Sequence, residues 1–276
     1  MINHFYDTNK VKIYNGDCLQ YIKKLYKNNV KVSLVITSPP YNTSRKSKSE
    51  KALRNHRGKY DVYDEKTSEE YRSFIVKLFR YLNKILDKDG VICFNLSYST
   101  ENTTDMFYVI SDIIDNTNFV LADCIAWKKS SALPNNTSKN ALTRIIEYIF
   151  VIARKDESKT FQCNKEIKSV SRTGQKYYNI IYNFIEAKNN DGSNPYNKAT
   201  FSSDLVCALL KIYAKDKNII FDPFLGTGTT AYAVLKYNQE NKTKLKCLGA
   251  ELSINQCKYA TDRIDKDFFS NVLKYR

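Results

Sequence analysis

The chain has 276 residues, of which 42% are hydrophobic, enough for a packed core and enough to exclude wholesale disorder. Its 44 Lys and Arg outnumber 29 Asp and Glu for a net charge of +15, so a polyanionic partner is the first expectation. With only His4 and His56 present, a His-based zinc site, a Ser-His-Asp triad or a zinc deaminase centre has almost nothing to build with, and no metal site is expected.

Val11 to Tyr14 reads as a strand, Leu19 to Tyr26 as a short helix and Lys31 to Ile36 as a strand. A polar stretch follows from Asn42 to Glu65. Tyr71, Phe74, Ile75, Leu78, Phe79, Leu82 and Ile85 then recur at steps of three and four, which predicts a helix over Thr67 to Leu86, opened by a Thr67-Ser-Glu-Glu capping box. Val91 to Leu96 and Phe119 to Trp127 read as buried strands with a helix from Met106 to Ile114 between them, and Ile145 to Ala153 as another strand. Lys155 to Lys198 loses periodicity and is rich in Lys, Asn and Tyr, the composition of an insertion. Beyond it the pattern returns: helix Ser202 to Tyr213, strand Asn218 to Phe221, helix Thr229 to Tyr237, strand Lys246 to Ala250 and helix Ile254 to Arg263. This alternation predicts an α/β fold with a mostly parallel sheet and helices on both faces. Seven cysteines without any Cys-x-x-Cys pair read as reduced core thiols of a cytoplasmic protein, and no apolar run approaches the roughly 18 residues of a membrane span.

Asn218-Ile-Ile-Phe-Asp-Pro-Phe-Leu-Gly-Thr-Gly-Thr-Thr-Ala231 places Gly226 and Gly228 between a strand and a helix. Glycines there let backbone amides approach a ligand, and Glu251, 23 residues beyond Gly228 at the end of the next strand, can accept from ribose hydroxyls. A tight turn needing positive φ is the plainer reading of the glycines alone. Strand, turn and acid together favour a nucleotide-like ligand, and no Gly-Lys-Ser/Thr follows to make a Walker loop. Too few residues remain after Ala231 for more than one strand and helix, so the rest of the sheet must come from the N-terminal half. A circularly permuted nucleotide-binding domain is implied.

Thr37-Ser-Pro-Pro-Tyr-Asn42 stands at the carboxyl end of a strand, where α/β proteins place their chemistry. The prolines stiffen the loop, the Ser38 hydroxyl and loop carbonyls can accept from an amino group, and Tyr41 offers a face for a base. A simple strand terminator is the competing reading.

With the glycine turn, this segment resembles the catalytic motif of the exocyclic-amino DNA methyltransferases, in the permuted class whose catalytic motif precedes the target-recognition region and the methyl-donor motif. Asn15-Gly-Asp-Cys18 resembles the family's acidic motif at the donor's adenine, Asp222 to Thr230 its methionine-binding turn, and Gly249-Ala-Glu251 its ribose-binding acid. The resemblance implies a Rossmann-like, S-adenosylmethionine-dependent fold. Residues 1–154 would form the catalytic part with a basic DNA-binding loop at 43–66, residues 155–198 the target-recognition insertion, and residues 199–276 the donor-binding part. It implies catalytic Ser38, Pro39, Pro40 and Tyr41. S-Adenosylmethionine would be held by Asp17, Cys18, Thr37, Asp222, Pro223, Phe224, Gly226, Gly228, Thr229, Thr230, Glu251 and Leu252. DNA would be held by Arg45, Lys46, Lys48, Lys51, Arg54 and Arg57, a run that could otherwise be a solvated face, and by Arg172 and Lys176 of the second polar region.

The chemistry implied is direct methyl transfer to a base flipped out of duplex DNA. Carbon-5 cytosine methylation would need a Pro-Cys thiolate, and no Pro-Cys occurs. Ser at position 38, where the family's adenine enzymes mostly carry Asp, favours the N4 amine of cytosine, and adenine N6 is the alternative. Asn197-Lys-Ala-Thr-Phe201 leans the same way, resembling a His-Pro-Ala-x-Phe form with Asn197 and Lys198 replacing His and Pro. A basic nucleic-acid-binding module without turnover is the reading from another class. A bacterial restriction-modification setting is implied, with a cognate restriction endonuclease or companion methyltransferase as a further partner and a homodimer as the assembly to test.

Overall fold

The computed structural model describes residues 2–40, 66–98, 103–132, 134–136, 139–140, 142–161, 163–192, 194, 196–197 and 200–269. In chain order the strands are β1 (Tyr6–Asp7), β2 (Val11–Asn15), β3 (Val32–Thr37), β4 (Leu86–Leu96), β5 (Phe119–Lys129), β6 (Ile146–Arg154), β7 (Ile167–Val170), β8 (Lys176–Tyr178), β9 (Phe184–Ala187), β10 (Ile219–Asp222) and β11 (Lys246–Glu251). The helices are α1 (Cys18–Lys27), α2 (Ser68–Ile85), α3 (Asp105–Asn116), α4 (Ser203–Tyr213), α5 (Thr229–Asn241) and α6 (Ile254–Ile264).

Nine strands form one sheet in the order β1-β2-β11-β10-β3-β4-β6-β5-β9. The run from β2 to β4 is parallel throughout, whereas β6 runs antiparallel to both β4 and β5. Successive side chains alternate between the faces, as a strand buried on both sides requires. Val11, Leu34 and Ile220 face one core with Leu205 of α4, Ala231 of α5 and Ala260 of α6. Val35, Phe94 and Phe221 face the other with Ile22 of α1, Phe79 of α2 and Ile110 of α3.

The chain leaves β10 through α5 toward β11 and leaves β3 through α2 toward β4, so the connections diverge between β10 and β3. Such a switch point opens a crevice at the carboxyl ends of the strands. Because β3 lies near the start of the chain and β10 near its end, this is the permuted arrangement expected from the late glycine turn.

The capping box at Thr67 is formed: its hydroxyl accepts from Glu70 N while Glu70 accepts from Thr67 N. At the far end of α2, the Arg154 guanidinium donates to the carbonyls of Asn83, Leu86 and Asp87, satisfying acceptors a helix terminus leaves open. There β4 starts at Leu86, earlier than hydrophobic periodicity suggests, because Leu86 pairs with Val32 ahead of the polar Asp87 to Gly90 stretch.

The 155–198 stretch holds three short strands among its described residues. β7 and β8 form an antiparallel hairpin of exposed residues, but β9 returns to the main sheet, pairing with β5 through Trp127 and Ile185. The buried Trp127 Nε1 donates to Ala187 O at 3.3 Å. Among the described residues no helix is long and apolar enough to cross a membrane.

Candidate active site

The carboxyl ends of β2, β11, β10 and β3 surround a cleft of about 380 Å³. Asp17, Cys18, Ser38, Pro40, Pro223, Phe224, Gly226, Glu251 and Leu252 line it, drawn from segments more than 200 residues apart in the chain. Local chemistry explains each placement. Asp17 is the N-cap of α1 and its carboxylate accepts from Gln20 N at 2.9 Å, which fixes it at the rim. Asn15 Nδ2 donates to the Glu251 and Leu252 carbonyls at 3.0 and 3.1 Å, and Gly16 N donates to Glu251 O at 2.8 Å, lacing the end of β2 to the end of β11.

The turn after β10 has Gly226 at φ +57° and Gly228 at φ +83°, conformations that L side chains rarely adopt. At Gly228 a Cβ would also stand 2.6 Å from the Ala260 Cβ, so the residue must be glycine for α5 to pack on α6. Glu251 Oε2 accepts from Gly226 N and Oε1 from Ser253 N, both at 2.8 Å. These two backbone amides fix the orientation of the Glu251 carboxylate at the end of β11.

Several expected donor-binding residues lie under the cleft instead of on its surface. Asp222 is 1% exposed; its Oδ1 accepts from Thr37 Oγ1 at 2.7 Å and from Phe224 N at 3.0 Å, and its Oδ2 from Thr230 Oγ1 at 2.6 Å. Burial pushes its carboxyl up to about 6, against the opposing pull of the Thr230 and Thr37 hydroxyls and the Phe224 amide. Thr37, Gly228, Thr229 and Thr230 are buried and shape the turn from below; they do not line the cleft, and Pro39 is buried beside Ser38 and Pro40. Burial pushes the Cys18 thiol up to about 12, so Cys18 is a neutral wall of the cleft and no nucleophile.

Arg172 lies between β7 and β8 and Lys176 opens β8, and neither lines the cleft. Tyr41 and the run Arg45, Lys46, Lys48, Lys51, Arg54 and Arg57 lie outside the described residues. The cleft also contains residues that motif reading missed: Leu19, Lys66, Phe74 and Gln256. Phe74 belongs to the apolar stripe of α2 and carries no signal separating it from core, although its ring lies 6.1 Å from that of Phe224. Gln256 accepts from Asn197 Nδ2 at 3.2 Å beside Gly226, a pairing across 59 residues that no local pattern encodes.

A doubly wound sheet with a glycine turn and a Ser-Pro-Pro loop meeting at its switch point is a nucleotide-type binding architecture. The chain belongs to the DNA methylase family of N6 and N4 methyltransferases, whose sequence pattern matches residues 32–262. It is 28% identical over 235 residues to the type II methyltransferase M.MwoI of Methanothermobacter wolfeii, covering 82% of this chain but 30% of that protein. With the type II methyltransferase M.MjaI of Methanocaldococcus jannaschii it shares 23% identity over 241 residues, covering 76% of this chain and 79% of the relative. In three dimensions it resembles the cytosine-N4-specific PvuII DNA methyltransferase with a TM-score of 0.67 at 18% identity, over 99% of this chain and 94% of that one. The M1.HpyAVI-SAM complex superposes with a TM-score of 0.57 at 19% identity, over 92% and 99% of the two chains.

Proposed function

We propose that this chain transfers a methyl group from S-adenosylmethionine to the N4 amine of cytosine in duplex DNA, as the modification enzyme of a restriction-modification system. The observation that carries this reading is the meeting of Ser38 and Pro40 with Asp17, Phe224, Gly226 and Glu251 in one cleft.

The cleft fits the donor by size and by chemistry. Its volume lies within the range of small-molecule sites, roughly 300 to 1,000 Å³. Glu251 and Asp17 supply acceptors for ribose hydroxyls and for cationic or N–H groups, while Leu19, Phe74 and Phe224 supply apolar walls for a purine and a thioether-like chain. When bound, the donor supplies an electrophilic methyl on a sulfonium sulfur.

Everything else falls to the protein. An exocyclic amine is a weak nucleophile because its lone pair is delocalised into the ring. Hydrogen bonds accepted from its N–H groups by the Ser38 hydroxyl and a loop carbonyl localise that lone pair and aim it. Two prolines keep the acceptors from rearranging, and Tyr41 stacks on the extruded base. Ser38 can also donate to the unprotonated ring nitrogen beside the cytosine amine, which an ionised carboxylate at that position cannot do. Adenine presents the same kind of nitrogen, N1, beside its N6 amine, so this hydroxyl chemistry suits both bases; Ser at position 38, as in the cytosine-N4 enzymes that the motif resembles, and the cytosine-N4-specific PvuII enzyme among the structural relatives favour N4 of cytosine.

Duplex binding is assigned to the Arg45–Arg57 run and to the β7–β8 hairpin. On that hairpin and just beyond it Lys168, Arg172 and Lys176 are followed by the exposed rings of Tyr177, Tyr178 and Tyr182. Mass spectrometry of nucleosides from duplex DNA incubated with the protein and S-adenosylmethionine tests the target base. N4-methylcytosine is the expected product, and N6-methyladenine in its place would overturn the choice of base.

A further inference from the structure

Asp222 sits where two strands part. The β10–β3 ladder pairs Ile220 with Leu34 and Phe221 with Val35, whereas the β3–β4 ladder continues to Thr37 and Phe94. On its β4 side Thr37 is therefore held by backbone pairing, and on its β10 side by the Asp222 side chain at 2.7 Å. The same carboxylate accepts from Phe224 N, in the wall of the cleft, and from Thr230 Oγ1, in the first turn of α5. Neither Asp222 nor Thr37 lines the cleft, and both are almost completely buried.

We propose that Asp222 is a positioning residue whose carboxylate locks the Thr37–Pro40 loop to the glycine turn and so sets the distance between the group that holds the target amine and the wall that holds the methyl donor. The inference rests on the methyltransferase reading and extends it: Asp222 is assigned to loop registration and not to donor contact. The physical reason is that a charged acceptor making three short, buried hydrogen bonds defines one geometry, and a misplacement of about 1 Å at a transfer site is enough to cost about a hundredfold in rate.

The test uses Thr37→Val, which keeps the side-chain shape, removes only the hydroxyl and leaves Asp222 its other two partners, with Thr37→Ser as the rescuing variant. Single-turnover methyl transfer to duplex DNA and calorimetric affinity for S-adenosylmethionine are measured on all three proteins. The expected result for Thr37→Val is a transfer rate lowered by roughly tenfold or more with donor affinity kept within about threefold, and for Thr37→Ser a rate near wild type. An unchanged rate, or a rate and a donor affinity that fall together, would overturn the assignment. Hydrogen–deuterium exchange supplies a readout that needs no turnover: the Ile36, Thr37 and Ser38 amides should exchange faster in Thr37→Val and return toward wild type in Thr37→Ser, and unchanged exchange contradicts the lock. A wild type that methylates no DNA would refute the methyltransferase reading, and the exchange data would still decide whether Asp222 couples the two segments.

Discussion

The glycine turn after β10 and the β7–β8 hairpin are both short connections, yet they are held in opposite ways. The turn is tied to distant segments by hydrogen bonds from Gly226 N to Glu251 across 25 residues and from Thr37 to Asp222 across 185, and locally by the Asp222 contacts to Phe224 and Thr230. The hairpin is fixed mainly by its own ladder and by bonds within its turn, such as Gln175 N to Ser171 Oγ and Gly174 N to Ser171 O, and every residue of both its strands is exposed. A donor of fixed shape needs a preorganised wall. A surface for a long polyanion needs reach and charge, and can be built from residues that contribute little to stability.

The largest effect that should separate the two regions comes from Gly228→Ala. It forces a side chain into φ +83° and against Ala260, and the combined backbone strain and overpacking should destabilise the fold by roughly 2 to 5 kcal/mol in a denaturant titration. A loss below about 0.5 kcal/mol would mean that the turn is as loosely held as the hairpin.

Next in size is a pH effect. The native carboxyl of Asp222 is raised to about 6 from an ordinary 3.8, so between those values the folded chain binds its proton more tightly than the unfolded chain does. Its contribution favours folding most below about pH 4 and is lost as pH rises through about 6, a change on the order of 3 kcal/mol. Comparing unfolding free energies of wild type and Asp222→Asn across that window isolates the group, and two parallel profiles would show that Asp222 does not titrate there.

Glu251→Gln sharpens the comparison from the ligand side. One acceptor oxygen and the charge are lost while the shape is kept, so donor affinity should fall by roughly 1.5 to 3 kcal/mol by calorimetry, the range for hydrogen bonds to a charged group. The smallest stability effect belongs to the hairpin. Arg172→Ala with Lys176→Ala should change unfolding free energy by no more than about 0.5 kcal/mol, yet lower the slope of log DNA affinity against log salt by about 0.9 for each phosphate contact removed. A stability loss with an unchanged slope would reverse the roles given to the two regions.

This contrast also explains what could be read from the sequence. The elements around the cleft were legible because their strands are buried on both faces and their helices carry regular apolar stripes, as in α2 from Tyr71 to Ile85. The glycine turn and the Ser-Pro-Pro loop were legible because glycine and proline restrict the backbone locally. β7, β8 and β9 were not: three or four residues each, mostly exposed, give no periodicity to detect. Nor could motif order distinguish a residue that lines the cleft from one beneath it. Asp222 stands in the donor motif, but its orientation is decided by Thr37 and Thr230, and Thr37 comes from the opposite end of the chain. Phe74 and Gln256 reach the cleft only because α2 and α6 pack where they do.

Calorimetric titration of the wild-type protein with S-adenosylmethionine, with NAD titrated in parallel, tests the central claim most directly. Saturable one-to-one binding of S-adenosylmethionine that is weakened in Glu251→Gln, with no comparable binding of NAD, is the predicted result. Tight binding of NAD with none of S-adenosylmethionine would contradict it.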